Sequence, residues 1–176
     1  DLCLTPRMRR HHIHFHLAGS NILRKSGPSM MTTMAEILLV DDNPADLDLT
    51  IDALAQSPWR THVSTVCDGI EAMAYLRREG KYRGASRPHL VLLDLNLPRR
   101  DGRAVLADMK SKPAFRRIPV VIFSSSQAAE DIERSYELGA NSYLSKPPTL
   151  GEWVSAVKLL NEFWIGCACL PREGEQ

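Results

Sequence analysis

No apolar run in this chain approaches the roughly 18 residues that a membrane-spanning helix needs. The N-terminus is basic, but no continuous apolar stretch follows it, which speaks against a secretory signal peptide. Cysteine is scarce. Cys3, Cys67, Cys167 and Cys169 form no Cys-x-x-Cys pair, so free thiols in a reducing cytoplasm fit better than a disulfide framework. An excess of one charge is also missing, since the formal net charge is +1. That small number hides an asymmetry: residues 1–34 carry +4, while the remainder holds 17 basic against 20 acidic side chains. A mildly acidic body gives no reason to expect a nucleic-acid partner. What is present is 44% apolar and 24% charged residues over 176 positions, enough to bury one core in one domain.

Residues 1–34 mix basic side chains, four histidines, Gly19-Ser20, Gly27-Pro28 and Met30-Met31 without a sustained period. Such a segment cannot bury enough apolar surface to offset its ordering entropy. It reads as a disordered leader, an upstream mis-start, or residues foreign to the natural protein, because Met30, Met31 or Met34 could each begin the domain. The domain is expected over residues 35–165, with a tail at 166–176.

From Glu36 onward, short apolar runs alternate with segments of helix length. The runs are Ile37–Val40, Val63–Val66, Leu90–Leu93, Val120–Phe123 and Tyr143–Leu144. Parallel strands covered on both faces need such runs. Asn43-Pro44 places a capping side chain before a proline at the first helical position. Asp68–Glu71 and Thr149–Glu152 have capping-box spacing. Leu150, Trp153, Val154, Val157, Leu160 and Trp164 form one stripe on the last helix. Five strand–helix repeats imply an α/β fold, a doubly wound five-stranded parallel sheet with helices on both faces. Sites in such folds lie beyond the carboxyl ends of the strands.

The polar residues fall at those ends. The first run stops at Asp41-Asp42, the third at Asp94 and the fourth at Ser124, and the fifth leads into Lys146-Pro147. Three carboxylates at neighbouring strand ends are costly without a cation. Hard oxygen donors with room for water favour Mg²⁺. A lysine and a hydroxyl at the same rim can hold the oxygens of a phosphoryl group. Each piece alone has a plainer reading as a cap, a turn or a solvated lysine; the four together at strand termini do not.

The segments Ile37-Leu-Leu-Val-Asp41-Asp42-Asn43, Leu90-Val-Leu-Leu-Asp94-Leu-Asn-Leu-Pro98 with Asp101-Gly102, Pro119-Val-Val-Ile-Phe-Ser124 and Tyr143-Leu-Ser-Lys146-Pro147 resemble response-regulator receiver domains. The likeness covers residues 36–164 and extends to stand-alone receivers serving bacterial phytochromes. That narrower match rests on Asn43-Pro-Ala-Asp46, Asp68-Gly-Ile-Glu-Ala72, Leu93-Asp-Leu-Asn-Leu-Pro98 and the Phe163-Trp164 tail. The resemblance implies a flavodoxin-like (βα)5 fold and phosphoryl acceptance by Asp94 from a histidine kinase, with a bacteriophytochrome as the candidate donor. It implies Mg²⁺ held by Asp41, Asp42, Asp94 and the backbone carbonyl of Asn96. Lys146 would pair with a phosphoryl oxygen or with Asp94, and Ser124 and Tyr143 would act as the switch. It also implies a cis Lys146–Pro147 bond and a homodimer. Trp153, Phe163 and Trp164 are expected in the core or an interface.

Only twelve residues follow Trp164. No output domain is therefore expected, and the signal should leave through the last two helices and fifth strand, near Tyr143 and Trp153. An aspartyl-nucleophile phosphohydrolase of the haloacid-dehalogenase kind is the rival reading, but it needs a carboxylic acid where this chain has Asn96. A scaffold receiver without phosphorylation is weakened by the full set of acidic residues and Lys146. Within His11–His16, the histidines His12, His14 and His16 alternate in a pattern able to ligate a transition metal, although without a folded neighbour this is the weaker reading. Cys167 and Cys169 alone make a poor site. His62 and His89 read as solvated or packing residues, and Arg99-Arg100 and Arg116-Arg117 as solvated loops.

Overall fold

The computed structural model describes residues 34–171. Residues 1–33, with the His12, His14 and His16 pattern and Cys3, lie outside the described residues. The elements run β1 (Ala35–Val40), α1 (Pro44–Ala55), β2 (Thr61–Val66), α2 (Gly69–Leu76), a short 3₁₀ turn (Gly80–Tyr82), β3 (Leu90–Leu93), α3 (Gly102–Ser111), β4 (Val120–Ser124), α4 (Ala129–Glu137), β5 (Ser142–Ser145) and α5 (Leu150–Asn161). A π-helical stretch, Glu162–Cys167, continues α5 past the expected domain end at residue 165. The strands form one parallel sheet in the order β2-β1-β3-β4-β5.

Strand side chains alternate between two cores, as a pleated sheet requires. Leu38, Val40, Val91, Leu93, Val120 and Ile122 face one layer, where Met73 and Leu76 of α2 and Val105, Leu106 and Met109 of α3 complete the packing. Ile37, Leu39, Leu90, Leu92, Val121 and Phe123 face the other, against Leu47 and Leu54 of α1 and Trp153, Val157 and Leu160 of α5. The Trp153 ring meets Phe123 edge-on, and its indole N–H donates to the Thr50 hydroxyl at 3.2 Å. Leu150 departs from the expected stripe. It occupies the first position of α5, at the margin of the sheet, and is exposed.

The caps behave as expected. The Asn43 side chain accepts from the Ala45 N–H, Asp68 accepts from Ile70 and Glu71, and Thr149 accepts from Glu152. Each answers donors that the first turn of a helix leaves orphaned. Strand order turns back between β1 and β3, so the open crevice lies where Asp41 and Asp94 emerge.

Candidate functional site

Register brings the site together. Val40 lies opposite Leu93, so Asp41 and Asp94 leave adjacent strands side by side. Ser124 pairs with Ser145, which sets Lys146 beside the end of β4, its N–H donating to the Ser124 carbonyl at 2.8 Å. Asp41, Asp94 and Ser124 are buried, whereas Asp42 is exposed. The Lys146 ammonium reaches Asp94 Oδ2 at 2.6 Å, Asp41 Oδ2 at 2.7 Å and Asp46 Oδ2 at 2.8 Å. The other Asp94 oxygen accepts the Ser124 hydroxyl at 2.7 Å and the Asn96 N–H at 3.1 Å. Asp41 Oδ1 accepts the Asn43 N–H at 3.0 Å.

Burial pushes the Asp41 pKa up, and the hydrogen bonds from Lys146 and the Asn43 N–H only partly reverse it. Burial also opposes the charge on Lys146, but hydrogen bonds to Asp41, Asp46 and Asp94 outweigh it and raise the pKa above the ordinary lysine value. The lysine is thus a fixed cation among carboxylates. Three aspartates share this one ammonium, and the exposed Asp42 lies beside two of them. Carboxylate oxygens of Asp41, Asp42 and Asp94 lie within 4.8 Å of one another. That donor set, all hard oxygen and partly open to solvent, fits a small divalent cation.

The family model for the response regulator receiver domain matches residues 37–158. The chain belongs to this receiver family. Response regulator Rcp1 of Synechocystis sp. is 42% identical over 135 residues, covering 77% of this chain and 92% of the relative. Among solved structures, the phosphorylated cyanobacterial phytochrome response regulator RcpA is 51% identical with a TM-score of 0.77, covering 80% of this chain and all of that one. The Mn²⁺-bound form of Rcp1 is 41% identical with a TM-score of 0.76, covering 78% of this chain and 99% of that one.

Within this receiver, two expectations need correction. The Lys146–Pro147 bond is trans, since no described peptide bond is cis. The trans isomer is the lower in energy by about 0.5–1 kcal/mol for an X–Pro bond, and from it Lys146 still meets all three carboxylates. Arg99 and Arg100 are not simply solvated. Arg99 forms an ion pair with the buried Asp68 carboxylate, and Arg100 bonds Asp108 at 2.6 Å. At the start of the sheet His62, exposed, bonds Glu36 at 2.7 Å, and the half-buried His89 accepts the Glu36 N–H at 2.9 Å.

Asp46 was not foreseen as part of the site. The Asn43 cap and Pro44 fix the first turn of α1, and that turn delivers Asp46 to Lys146. Its only sequence signal is a carboxylate in the first turn of a helix that follows the Asp-Asp pair. Asp68 and Arg99 were also missed. Arg99 holds a left-handed φ of 61°, a conformation costing about 1–2 kcal/mol for a residue with a Cβ. The ion pair to Asp68 anchors it, tying the start of α2 to the loop that carries Asn96. The same two segments touch at Gly69, where a Cβ would sit 2.3 Å from the Arg100 carbonyl oxygen.

Tyr143 is half-buried and donates its hydroxyl to the Ser126 carbonyl at 2.9 Å. Ser126 in turn bonds Asp131 at 2.6 Å, and Asp131 pairs with Arg103 of α3. The loop after Ser124 is therefore connected to β5, α4 and α3 by polar contacts.

Proposed function

We propose that this receiver accepts a phosphoryl group on Asp94 from a partner histidine kinase and signals through a change in its own surface. The observation that carries the reading is the Lys146 ammonium bridging Asp94 and Asp41, while a serine hydroxyl holds the other Asp94 oxygen. One Asp94 oxygen must be free to attack phosphorus, and the Lys146 ammonium and the Ser124 hydroxyl can each turn to the new phosphoryl oxygens. Asp41, Asp42, Asp94 and the Asn96 carbonyl would hold Mg²⁺. A bound Mg²⁺ supplies neutralisation of charge between the nucleophile and the incoming group. Lys146 orients the phosphoryl oxygens, and Ser124 donates to the acyl phosphate. The leaving group is the kinase imidazole, so the chain helps to catalyse its own modification without being an enzyme for a separate substrate.

Tyr143 supports a switch because its hydroxyl hangs on the loop that follows Ser124. A shift of Ser124 toward a phosphoryl oxygen would pull that loop and release or bury the ring. The resemblance to phytochrome response regulators supports a bacteriophytochrome as the kinase, a cytoplasmic setting and a homodimer. Among the described residues no helix is long and apolar enough to cross a membrane. At the position where a haloacid-dehalogenase-like hydrolase keeps its general acid, this chain offers the Asn96 amide.

Incubation with a small phosphodonor and Mg²⁺ tests the reading. Acid-labile phosphate should appear in the native chain and in Asp101→Asn, where the helix cap survives, and should vanish in Asp94→Asn. Undiminished labelling of Asp94→Asn would overturn the assignment.

A further inference from the structure

The positive charge of this receiver is gathered at the end of the sheet opposite Asp94. Residues 77–87 hold five Lys and Arg against Glu79 alone, and residues 110–117 hold four against no acid. These two segments contain nine of the 22 Lys and Arg in the chain, and no Asp or Glu occurs in 80–93 or 109–129. Although distant in sequence, they face each other across an open cleft with Leu76, Phe115 and Ile118 in its apolar lining and Arg78 and Arg87 among its polar groups. The Arg87 guanidinium donates to the Ala114 carbonyl, fixing one wall to the other.

Part of this charge has a local reason. Arg77 is the C-cap of α2, and Lys110 and Lys112 stand in the last turn and at the C-cap of α3, where cations complement the helix dipole. Lys81 is committed to Glu71, and Lys110 to carbonyl oxygens of Ile118 and Asn141. Arg83, Arg116 and Arg117 have no such reason. They are exposed and lie outside the five helices, in a body that is otherwise acidic.

We propose that this cleft is a docking surface for an acidic segment of a partner protein that inserts one apolar side chain. An apolar floor within a cationic rim matches that chemistry, with the anchor in the cleft and the carboxylates on the arginines. A membrane is disfavoured: of the exposed large hydrophobic residues, Met34 and Trp59 lie at this end of the strands, and neither belongs to a helix whose apolar face could enter a bilayer. A nucleic-acid backbone would use the charge but leave the apolar floor empty. Docking here is separate from Asp94 and does not require its phosphorylation.

Binding of a short fluorescein-labelled peptide of Asp and Glu around one Trp, followed by anisotropy with the full chain, tests the proposal. Arg83→Glu with Arg117→Glu should weaken binding by about tenfold, while Arg134→Glu with Lys158→Glu should change it little. Replacing the peptide Trp by Ser should cost a further several-fold, and Asp94→Asn should bind like the native chain. Circular dichroism confirms that each variant is folded. Equal losses in the two charge-reversed pairs, indifference to the Trp, or tighter binding to duplex DNA or anionic vesicles would overturn the proposal.

Discussion

Lys146→Met removes the cation that Asp41, Asp46 and Asp94 share and keeps most of the side-chain volume. The lysine and its three partners are largely shielded, with side-chain exposures of 7% for Lys146, 4% for Asp41, 18% for Asp46 and 6% for Asp94. Breaking a buried ion pair by deleting one partner costs about 3–5 kcal/mol. The low end, about 3 kcal/mol, applies because the stranded carboxylates can take up protons. In a domain of this size that is a fall in melting temperature of about 10 °C. Divalent cations compete with Lys146 for the same oxygens, so the variant should bind Mg²⁺ about tenfold more tightly. Tenfold is about 1.4 kcal/mol, and saturating Mg²⁺ should therefore recover roughly half of the loss. Urea melts with and without Mg²⁺ measure both quantities. A variant as stable as the native chain without metal would show that Lys146 does not hold these carboxylates, and a deficit that Mg²⁺ leaves unchanged would show that the metal does not compete for them.

Asp68→Asn keeps the α2 cap but removes the charge that holds Arg99; Mg²⁺ affinity by isothermal titration should fall, by up to about tenfold, without loss of fold. Gly102→Ala should be far more disruptive than its size suggests. A Cβ there would lie 2.1 Å from the Asp94 carbonyl oxygen and 2.8 Å from Leu95 Cα, so phosphorylation and melting temperature should drop together. Leu92→Ala, at a fully buried position between the helices and the sheet, should cost about 3 kcal/mol in denaturant melts. Glu71 has a lowered pKa, chiefly through its hydrogen bond with Lys81. A lowered carboxylate pKa stabilises the fold above the unfolded-state value of about 4.5 and loses that contribution as pH falls through the folded-state value. The native chain should thus exceed Glu71→Gln in stability at pH 7, by up to about 1 kcal/mol, and the gap should close as pH falls through the folded-state value.

The strands most readily read from sequence were those buried on both faces. Leu90–Leu93 matches β3, because an apolar run of four has no other stable place in an α/β layer. β5 was harder: only Tyr143 and Leu144 mark it, and all four of its residues are partly exposed at the sheet edge. Asp41, Asp94, Ser124 and Lys146 were legible because strand ends in this topology converge, whatever the loops do. Asp46 and the Asp68–Arg99 pair were not, since they depend on where a first helical turn and a left-handed loop residue point. The basic cleft was invisible for a related reason. Its two segments lie far apart along the chain, and only the packing of α2 and α3 on the same face of the sheet brings their arginines together.

Asp94 is proposed as the phosphoryl acceptor. Borohydride reduction of the phosphorylated chain, followed by peptide mass mapping, tests it directly, because an aspartyl phosphate is converted to homoserine at the modified residue. Homoserine should appear at Asp94, and should be lost when Mg²⁺ is chelated before the phosphodonor is added. Homoserine at Asp41, Asp42 or Asp101 with Asp94 intact would contradict it.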